Sequence, residues 1–194
     1  MKKYVISIGC FLGVLLLLFV TMAIVPMKET IPVGKPTTIR VYNQSLTPKT
    51  YQEGSQKEIY DTIFSYVTNM TKVSILQRLM ATNTAVAGWT QPTDGKEYVY
   101  SNQLQSKGVC VELLFDKAQS FIVNIDGSTK KIETKALLFE VKPSKNAYVA
   151  NIYFGINNSS TSPQYVSSDG NSYPLQTVVR TYSLYNYILD ITKK

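Results

Sequence analysis

The chain has 194 residues, of which 44% are hydrophobic and only 17% charged, with 20 Lys and Arg against 13 Asp and Glu, two Cys and no His. The missing His excludes Ser-His-Asp and Cys-His hydrolases, His-ligated zinc or haem iron, and imidazole pH switches. The 167 residues that follow an apolar N-terminal run suffice for one domain with its own core and are too few for two of ordinary size.

The N-terminal run extends from Tyr4 to Met27 without a charged side chain and directly follows Lys2 and Lys3. About 20 apolar residues, each rising 1.5 Å in a helix, cross the roughly 30 Å hydrocarbon core of a bilayer. Because lipid cannot satisfy free backbone polar groups, the segment is expected to be helical. Basic flanks stay on the cytoplasmic side, so we expect residues 1–3 in the cytoplasm, a transmembrane anchor and the domain outside.

A secretory signal peptide is the alternative interpretation of the same run. Thr21-Met22-Ala23 offers a small-residue cleavage site, and cleavage near Ala23 would release a secreted protein. The apolar core of a signal peptide usually covers only about 7–15 residues, whereas this run is longer. The length therefore favours an uncleaved anchor.

The two cysteines predict no disulfide. Cys10 lies in the apolar run and Cys110 in an apparent strand, so a membrane would separate them. A reactive thiol needs a neighbouring base or cation, whereas Cys110 lies between Val109 and Val111. We interpret Cys110 as a small buried hydrophobic residue.

Residues 28–53 are interrupted by Pro32, Pro36 and Pro48, a composition typical of a tether. Within this segment, Thr37–Tyr42 alternates in polarity and is rich in β-forming residues, which makes it a candidate first strand.

The domain is predicted to occupy residues 54–194 and to begin with a helix. Ser55-Gln56-Lys57-Glu58 fits a capping box, and apolar residues follow at helical spacing: Ile59, Ile63, Tyr66, Val67 and Met70. The pattern slips near Thr71 and resumes from Val73 to Met80, which indicates one kinked helix or two consecutive helices ending by Asn83. Core packing is the usual role of such a stripe.

After a loop that contains Trp89, the apolar residues change to the period of a strand. The predicted strands are Glu97–Tyr100, Val109–Phe115, Ser120–Ile125, Thr129–Glu133, Ala136–Val141 and Tyr148–Phe154. Asp126-Gly127 suits a two-residue hairpin. No helical segment separates these strands, so we expect a mainly antiparallel meander.

The end of the chain combines a polar loop with a closing helix. Gly155–Tyr173 is polar, and apolar residues recur at helical spacing from Leu175 to Leu189 behind Pro174. The predicted fold class is therefore α+β: an N-terminal transmembrane helix and one domain, in which a helical element packs on a mainly antiparallel meander sheet and a C-terminal helix follows.

No motif supports catalysis. Ser128–Lys131 matches the S-x-x-K pattern of serine acylating enzymes, which place the Ser at the start of a helix. Here the residues enter a strand, where positions three apart face opposite sides. Paired carboxylates could cleave glycosidic bonds, and the candidates are Asp61, Glu97, Glu112, Asp116, Glu133 and Glu140. None lies in a signature, and no metal-binding or phosphate-binding spacing is present. We expect a non-enzyme without cofactor or metal.

Charge and aromatic content suggest partners outside the membrane. The residues after the run carry 18 basic and 13 acidic side chains, a balance that would suit anionic lipid headgroups or an anionic envelope polymer. A solvated basic surface without a specific binding patch is the favoured interpretation of this charge. Nucleic acid is not expected, because the charges are dispersed and lie on the wrong side of the membrane. The candidate partner surface consists of Tyr165, Tyr173, Tyr182 and Tyr185. Half-buried packing is the alternative role of these rings.

The layout resembles that of many small surface proteins of bacteria, without shared motifs. We expect a single-pass cell-membrane protein with a cytoplasmic N-terminus, whose outer domain binds an envelope component or a protein partner as an accessory. One alternative is a structural subunit of a secretion- or conjugation-type assembly, since helices followed by a curved antiparallel sheet resemble the periplasmic domains of some such subunits. The other is a carboxylate-dependent envelope hydrolase.

Overall fold

The computed structural model describes residues 2–25, 33–70, 74–76, 101–125, 128–145, 149–165, 175–178 and 181–193. The helices are α1 (Lys2–Ile24), α2 (Lys57–Met70), α3 (Ser101–Lys107) and α4 (Tyr182–Thr192). The strands are β1 (Thr38–Asn43), β2 (Lys49–Gln52), β3 (Val109–Ile125), β4 (Ser128–Glu140), β5 (Val149–Phe154) and β6 (Leu175–Val178). They form a six-stranded antiparallel sheet in the order β2-β1-β3-β4-β5-β6. The predicted α+β class with an antiparallel meander is confirmed.

The segment expected to be a tether contributes two strands to this sheet. β1 lies between β2 and β3, and Arg40 is opposite both Thr50 and Glu112. The candidate first strand is therefore present, and the folded unit begins before residue 54. Pro36 precedes β1 and Pro48 lies between β1 and β2, so neither proline removes a hydrogen bond from the ladder.

β3 and β4 form a long hairpin with one irregularity. The register continues to Leu114 opposite Ala136 and resumes with Gln119 opposite Thr134, so residues 115–118 of β3 face only residue 135 of β4. Such a bulge bends a strand and increases its twist. The predicted strands Val109–Phe115 and Ser120–Ile125 are the two halves of β3 on either side of the bulge. Ile125 is opposite Ser128, as a two-residue connection requires.

One face of the sheet packs against α2 and α4. The α2 residues Tyr60, Ile63, Val67 and Met70 are buried, as are Leu184 and Ile188 of α4, and they join sheet residues in the main core. The predicted stripe on α2 is therefore a core face, with Ile59 and Tyr66 partly buried beside it. Most of its predicted continuation beyond Thr71 lies outside the described residues.

The opposite face of the sheet has a second, smaller core. Its buried residues come from β1, α3, β3, β4, β5 and the segment after β5: Tyr42, Leu104, Cys110, Leu114, Ala136, Leu138, Tyr153 and Tyr165. α3 was not predicted, because Leu104 is its one apolar residue and gives no periodicity. The predicted strand Glu97–Tyr100 and the loop with Trp89 lie outside the described residues.

The predicted start of the C-terminal helix is wrong. Residues Leu175–Val178 form β6, which pairs with β5 through Val149–Val178 and Ile152–Leu175, and α4 begins only at Tyr182. The sequence over β6 is rich in β-branched residues, which favour a strand. Apolar residues spaced three apart fit a helix, but the same spacing is compatible with a short strand that is followed by a helix.

α1 is a helix of 23 residues whose side chains are described from Ile8 onward. None of them belongs to either core. In the part of the chain that the structure describes, no helix has both the length and the apolar character needed to span a bilayer. The membrane-spanning role of Tyr4–Met27 stays a prediction.

Candidate functional site

A cleft of about 740 Å³ lies between α2 and α4. Most of the described residues that line it have polar side chains, and all of them except Ser183 of α4 belong to α2: Asp61, Thr62, Ser65, Tyr66, Asn69 and Met70. Positions three and four apart share a helix side, which is why this polar side of α2 is continuous. The volume of the cleft lies within the roughly 300–1,000 Å³ typical of ligand sites.

Aromatic contact joins the two helices at the cleft. The ring centroids of Tyr66 and Tyr187 are 5.6 Å apart with an interplanar angle of 42°. Tilted aromatic pairs at this distance are favourable beyond the area they bury. The contact therefore fixes α2 against α4 and holds the Tyr66 side chain in the cleft lining.

The polar groups of the cleft differ in how far they are already satisfied. The Thr62 hydroxyl donates to the Glu58 carbonyl at 2.8 Å, and the Asn69 amide nitrogen lies 3.5 Å from Ser65 Oγ. Neither the Tyr66 hydroxyl nor the Ser183 hydroxyl has a hydrogen-bond partner among the described residues. The cleft therefore presents unused hydrogen-bonding capacity.

Asp61 is the charged residue of the lining and already has a cation beside it. Its carboxylate accepts a hydrogen bond from the Lys57 ammonium one helical turn away, and this contact raises the pKa of Lys57. Both side chains are largely exposed, so the pair contributes little to stability. Its effect is to offset the negative charge at that end of the cleft.

Of the four predicted partner-surface tyrosines, the three that the structure describes do not form one surface. Tyr165 is buried, which corrects its expected exposure, because its ring fills the second core and its hydroxyl binds a carboxylate. Tyr173 lies outside the described residues. Tyr182 and Tyr185 are half-buried on α4, where Tyr185 packs on the main core and Tyr182 contacts the Lys145 ammonium at 5.3 Å from the ring centroid. Neither lines the cleft.

A buried carboxylate organises the opposite face of the sheet. Glu112 is 1% exposed and accepts hydrogen bonds from the Tyr165 hydroxyl at 2.6 Å, the Tyr42 hydroxyl at 3.2 Å and Arg40 at 3.1 Å. The Arg40 guanidinium also donates to the Thr161 carbonyl at 3.2 Å. A buried charge requires such partners, and here they close the segment after β5 onto β1 and β3.

These surroundings make the ionisable groups of the second core unreactive. Burial, and then the neighbouring carboxylate of Glu112, raise the pKa of Tyr42, Tyr165 and Cys110. Cys110 is fully buried and free. A thiol with a raised pKa in an apolar site is a poor nucleophile, so Cys110 packs as a small hydrophobic residue.

The predicted carboxylates are scattered. Of those that the structure describes, Asp61 alone lines the cleft between α2 and α4. Glu140 is buried on the opposite face of the sheet, where it binds the Lys142 ammonium at 2.6 Å and the Asn151 amide at 3.0 Å, and Glu133 pairs with Lys131 at 2.7 Å. Glu97 lies outside the described residues. Within the described ranges, no group of three or more Cys, Asp or Glu is placed to hold a metal ion.

Sequence reasoning missed the cleft. The apolar stripe of α2 could be found from its period, but the cleft depends on how α4 lies beside α2, and that packing has no signature in the sequence. No family model matches the chain, and no curated protein or solved structure matches it significantly.

Proposed function

We propose that this chain is a single-pass, membrane-anchored accessory protein. Its α+β domain lies outside the cell and binds an envelope component or a protein partner through the α2–α4 cleft. The observation that carries the proposal is the uncovered apolar surface of α1.

The large apolar side chains of α1 are exposed along its described length, with 64% exposure for Phe11, 67% for Leu16 and 68% for Leu17. Apolar surface of this extent is unfavourable in water and needs a cover. The proposal takes a bilayer as the cover because the sequence from Tyr4 to Met27 has no charged side chain, although the helix as described falls short of the length and apolar character of a membrane span.

The domain itself has the surface of a protein in water. Among the described residues from 33 onward, the exposed large hydrophobic residues are Leu46, Ile122 and Ile156. They come from three separate segments, and single exposed hydrophobic residues are normal for water-soluble domains. Lys2 and Lys3 precede the apolar run and favour a cytoplasmic N-terminus, so the proposal places the domain outside.

Fractionation of cells that express the full chain with a C-terminal epitope tag tests the proposal. We expect the protein to stay in the membrane pellet after alkaline carbonate washing, and protease added to intact cells to remove the tag. A variant with Leu16→Arg and Leu17→Arg should leave the pellet, while the matched surface variant Leu46→Arg should not. A mature N-terminus after Ala23, or a tag that protease cannot reach, would contradict the proposal.

A second candidate function is a structural subunit of a secretion- or conjugation-type assembly. The bulge between Leu114 and Gln119 favours it, because a bulge curves the long hairpin and α2 packs on the sheet as expected for such subunits. The closing helix α4 departs from the pattern. Cross-linking on intact cells that yields a ladder of large complexes would favour this candidate, and a single cross-linked pair would favour the accessory protein.

A further inference from the structure

We infer that the cleft between α2 and α4 binds a short, uncharged carbohydrate. The inference names the ligand class of the proposed binding site, and it rests on the proposed function to the extent that an outer domain meets envelope glycans.

The lining matches the hydrogen-bonding character of sugars. Thr62, Ser65, Tyr66, Asn69 and Ser183 each carry a group that both donates and accepts. A sugar hydroxyl also both donates and accepts hydrogen bonds, so each sugar hydroxyl can act as donor or acceptor towards these lining groups. The hydroxyls of Tyr66 and Ser183 have no partner among the described residues, and Tyr66 is half-buried, where a tyrosine hydroxyl usually has one. A bound polar ligand would supply that partner.

The charge of the lining excludes anionic ligands. The chain carries 20 Lys and Arg, yet none of them is among the described residues that line the cleft. Sites for phosphate or carboxylate groups normally supply Arg or Lys. The charge of Asp61 is already offset by Lys57, so the described lining offers no free charge to pair with a charged ligand, and an uncharged ligand fits best.

The usual peptide-binding modes do not fit this cleft. A helical peptide needs an apolar groove, a proline-rich peptide needs aromatic walls, and an added strand needs an open sheet edge. Here the described walls come from two helices, and the apolar residue among the described lining residues, Met70, is 2% exposed. A glycan needs none of these features.

Saturation-transfer NMR on the full chain tests the inference. The protein is held in a detergent without a sugar headgroup, and the probes are tri-N-acetylchitotriose and maltotriose at millimolar concentration. We expect saturation transfer to at least one trisaccharide. A variant with Tyr66→Phe and Ser183→Ala, which removes both unused hydroxyls, should weaken binding about thirtyfold, since two hydrogen bonds of about 1 kcal/mol each correspond to about 2 kcal/mol.

Tyr182→Phe is the matched control, because it removes a hydroxyl of α4 that does not line the cleft, and it should change the affinity less than twofold. Equal melting temperatures would show that both variants are folded. No transfer to either sugar, or equal binding by the double variant, would overturn the inference. Membrane fractionation distinguishes failure of the sugar-binding inference from failure of the proposed membrane anchor. A chain that binds no sugar but stays in the membrane refutes only the inference. A chain that binds sugar but leaves the membrane refutes only the anchor.

Discussion

The hydroxyl of Tyr165 donates a 2.6 Å hydrogen bond to Oε1 of Glu112, and the two side chains are 5% and 1% exposed. The residues are 53 positions apart, so the bond joins the segment after β5 to the first part of β3. Arg40 reinforces the junction, because it contacts both Glu112 and the Thr161 carbonyl. The polar segment expected to be an exposed loop is thus held to the sheet at its described end.

Tyr165→Phe should destabilise the domain by about 2 kcal/mol, because it removes a hydrogen bond to a buried charged acceptor and adds no new contact. For a chain of this size, the melting temperature should fall by about 4–8 °C. Thermal unfolding of the full chain in detergent, followed by near-UV circular dichroism, measures the change.

Tyr182→Phe is the control for that measurement, since its ring packs at the surface beside Lys145 and its hydroxyl is not part of the Glu112 cluster. It should leave the melting temperature unchanged. If the two Phe variants had the same melting temperature, the Tyr165–Glu112 hydrogen bond would contribute nothing to stability.

Alkaline pH should unfold the domain through its buried tyrosines. Burial is the main cause that raises the pKa of Tyr60 from 10.0 to about 12, and its hydroxyl donates to the Pro36 carbonyl. The folded state therefore keeps a proton that the unfolded chain releases near pH 10, so this contribution to stability is complete below pH 10 and is lost as the pH rises towards 12. Tyr42, Tyr153 and Tyr165 shift in the same direction.

A titration of phenolate absorbance together with circular dichroism checks this dependence. We expect the buried tyrosines to ionise at higher pH than the exposed ones, and to do so together with the loss of structure above pH 10. Tyr60→Phe should reduce the number of these late-ionising tyrosines by one. Complete ionisation near pH 10 with the fold intact would contradict the assignment of these tyrosines as buried.

The fold was largely predictable where one physical signal dominated. The alternation in β1 buries Ile39 and Val41, and the helical period in α2 buries Ile63 and Val67, so both elements could be predicted from pattern alone. β6 was missed because Leu175 and Val178 satisfy a helical spacing as well, and only pairing with β5 decides between the two. That pairing is a tertiary property.

The candidate site was less predictable than the fold. Tyr165 was expected at the surface because its neighbours in sequence are polar, and the carboxylate that draws it inward is Glu112, which lies in an apolar stretch of β3. An isolated acidic residue between Val111 and Leu113 was the available signal, since a charge in a buried strand requires partners. Nothing in the sequence identifies Tyr165 and Arg40 as those partners.

The core beneath α2 should be sensitive to the loss of volume. Ile63 is fully buried between α2 and the sheet, so Ile63→Ala should cost about 3 kcal/mol through lost burial and a residual cavity. The melting temperature should then fall by about 6–12 °C. Ser65→Ala, an exposed position two residues later on the same helix, should change it by no more than about 2 °C, since surface substitutions usually stay within about 0.5 kcal/mol. Both substitutions raise the helix propensity, so similar losses in the two variants would contradict the assignment of the Ile63 effect to core packing.

Cys110 should resist alkylation until the domain unfolds. Two properties protect it: its side chain is fully buried, and this burial, together with the carboxylates of Glu112 and Glu140, raises its pKa. Because the thiolate is the reactive form, a raised pKa leaves even less of it at mildly alkaline pH than a free cysteine has. In a Cys10→Ala background, iodoacetamide should therefore label Cys110 at least about a hundredfold more slowly in the native protein than in urea. Rapid native labelling, measured by mass spectrometry, would show that the second core opens readily, and the tie between Tyr165 and Glu112 would then not hold that face closed.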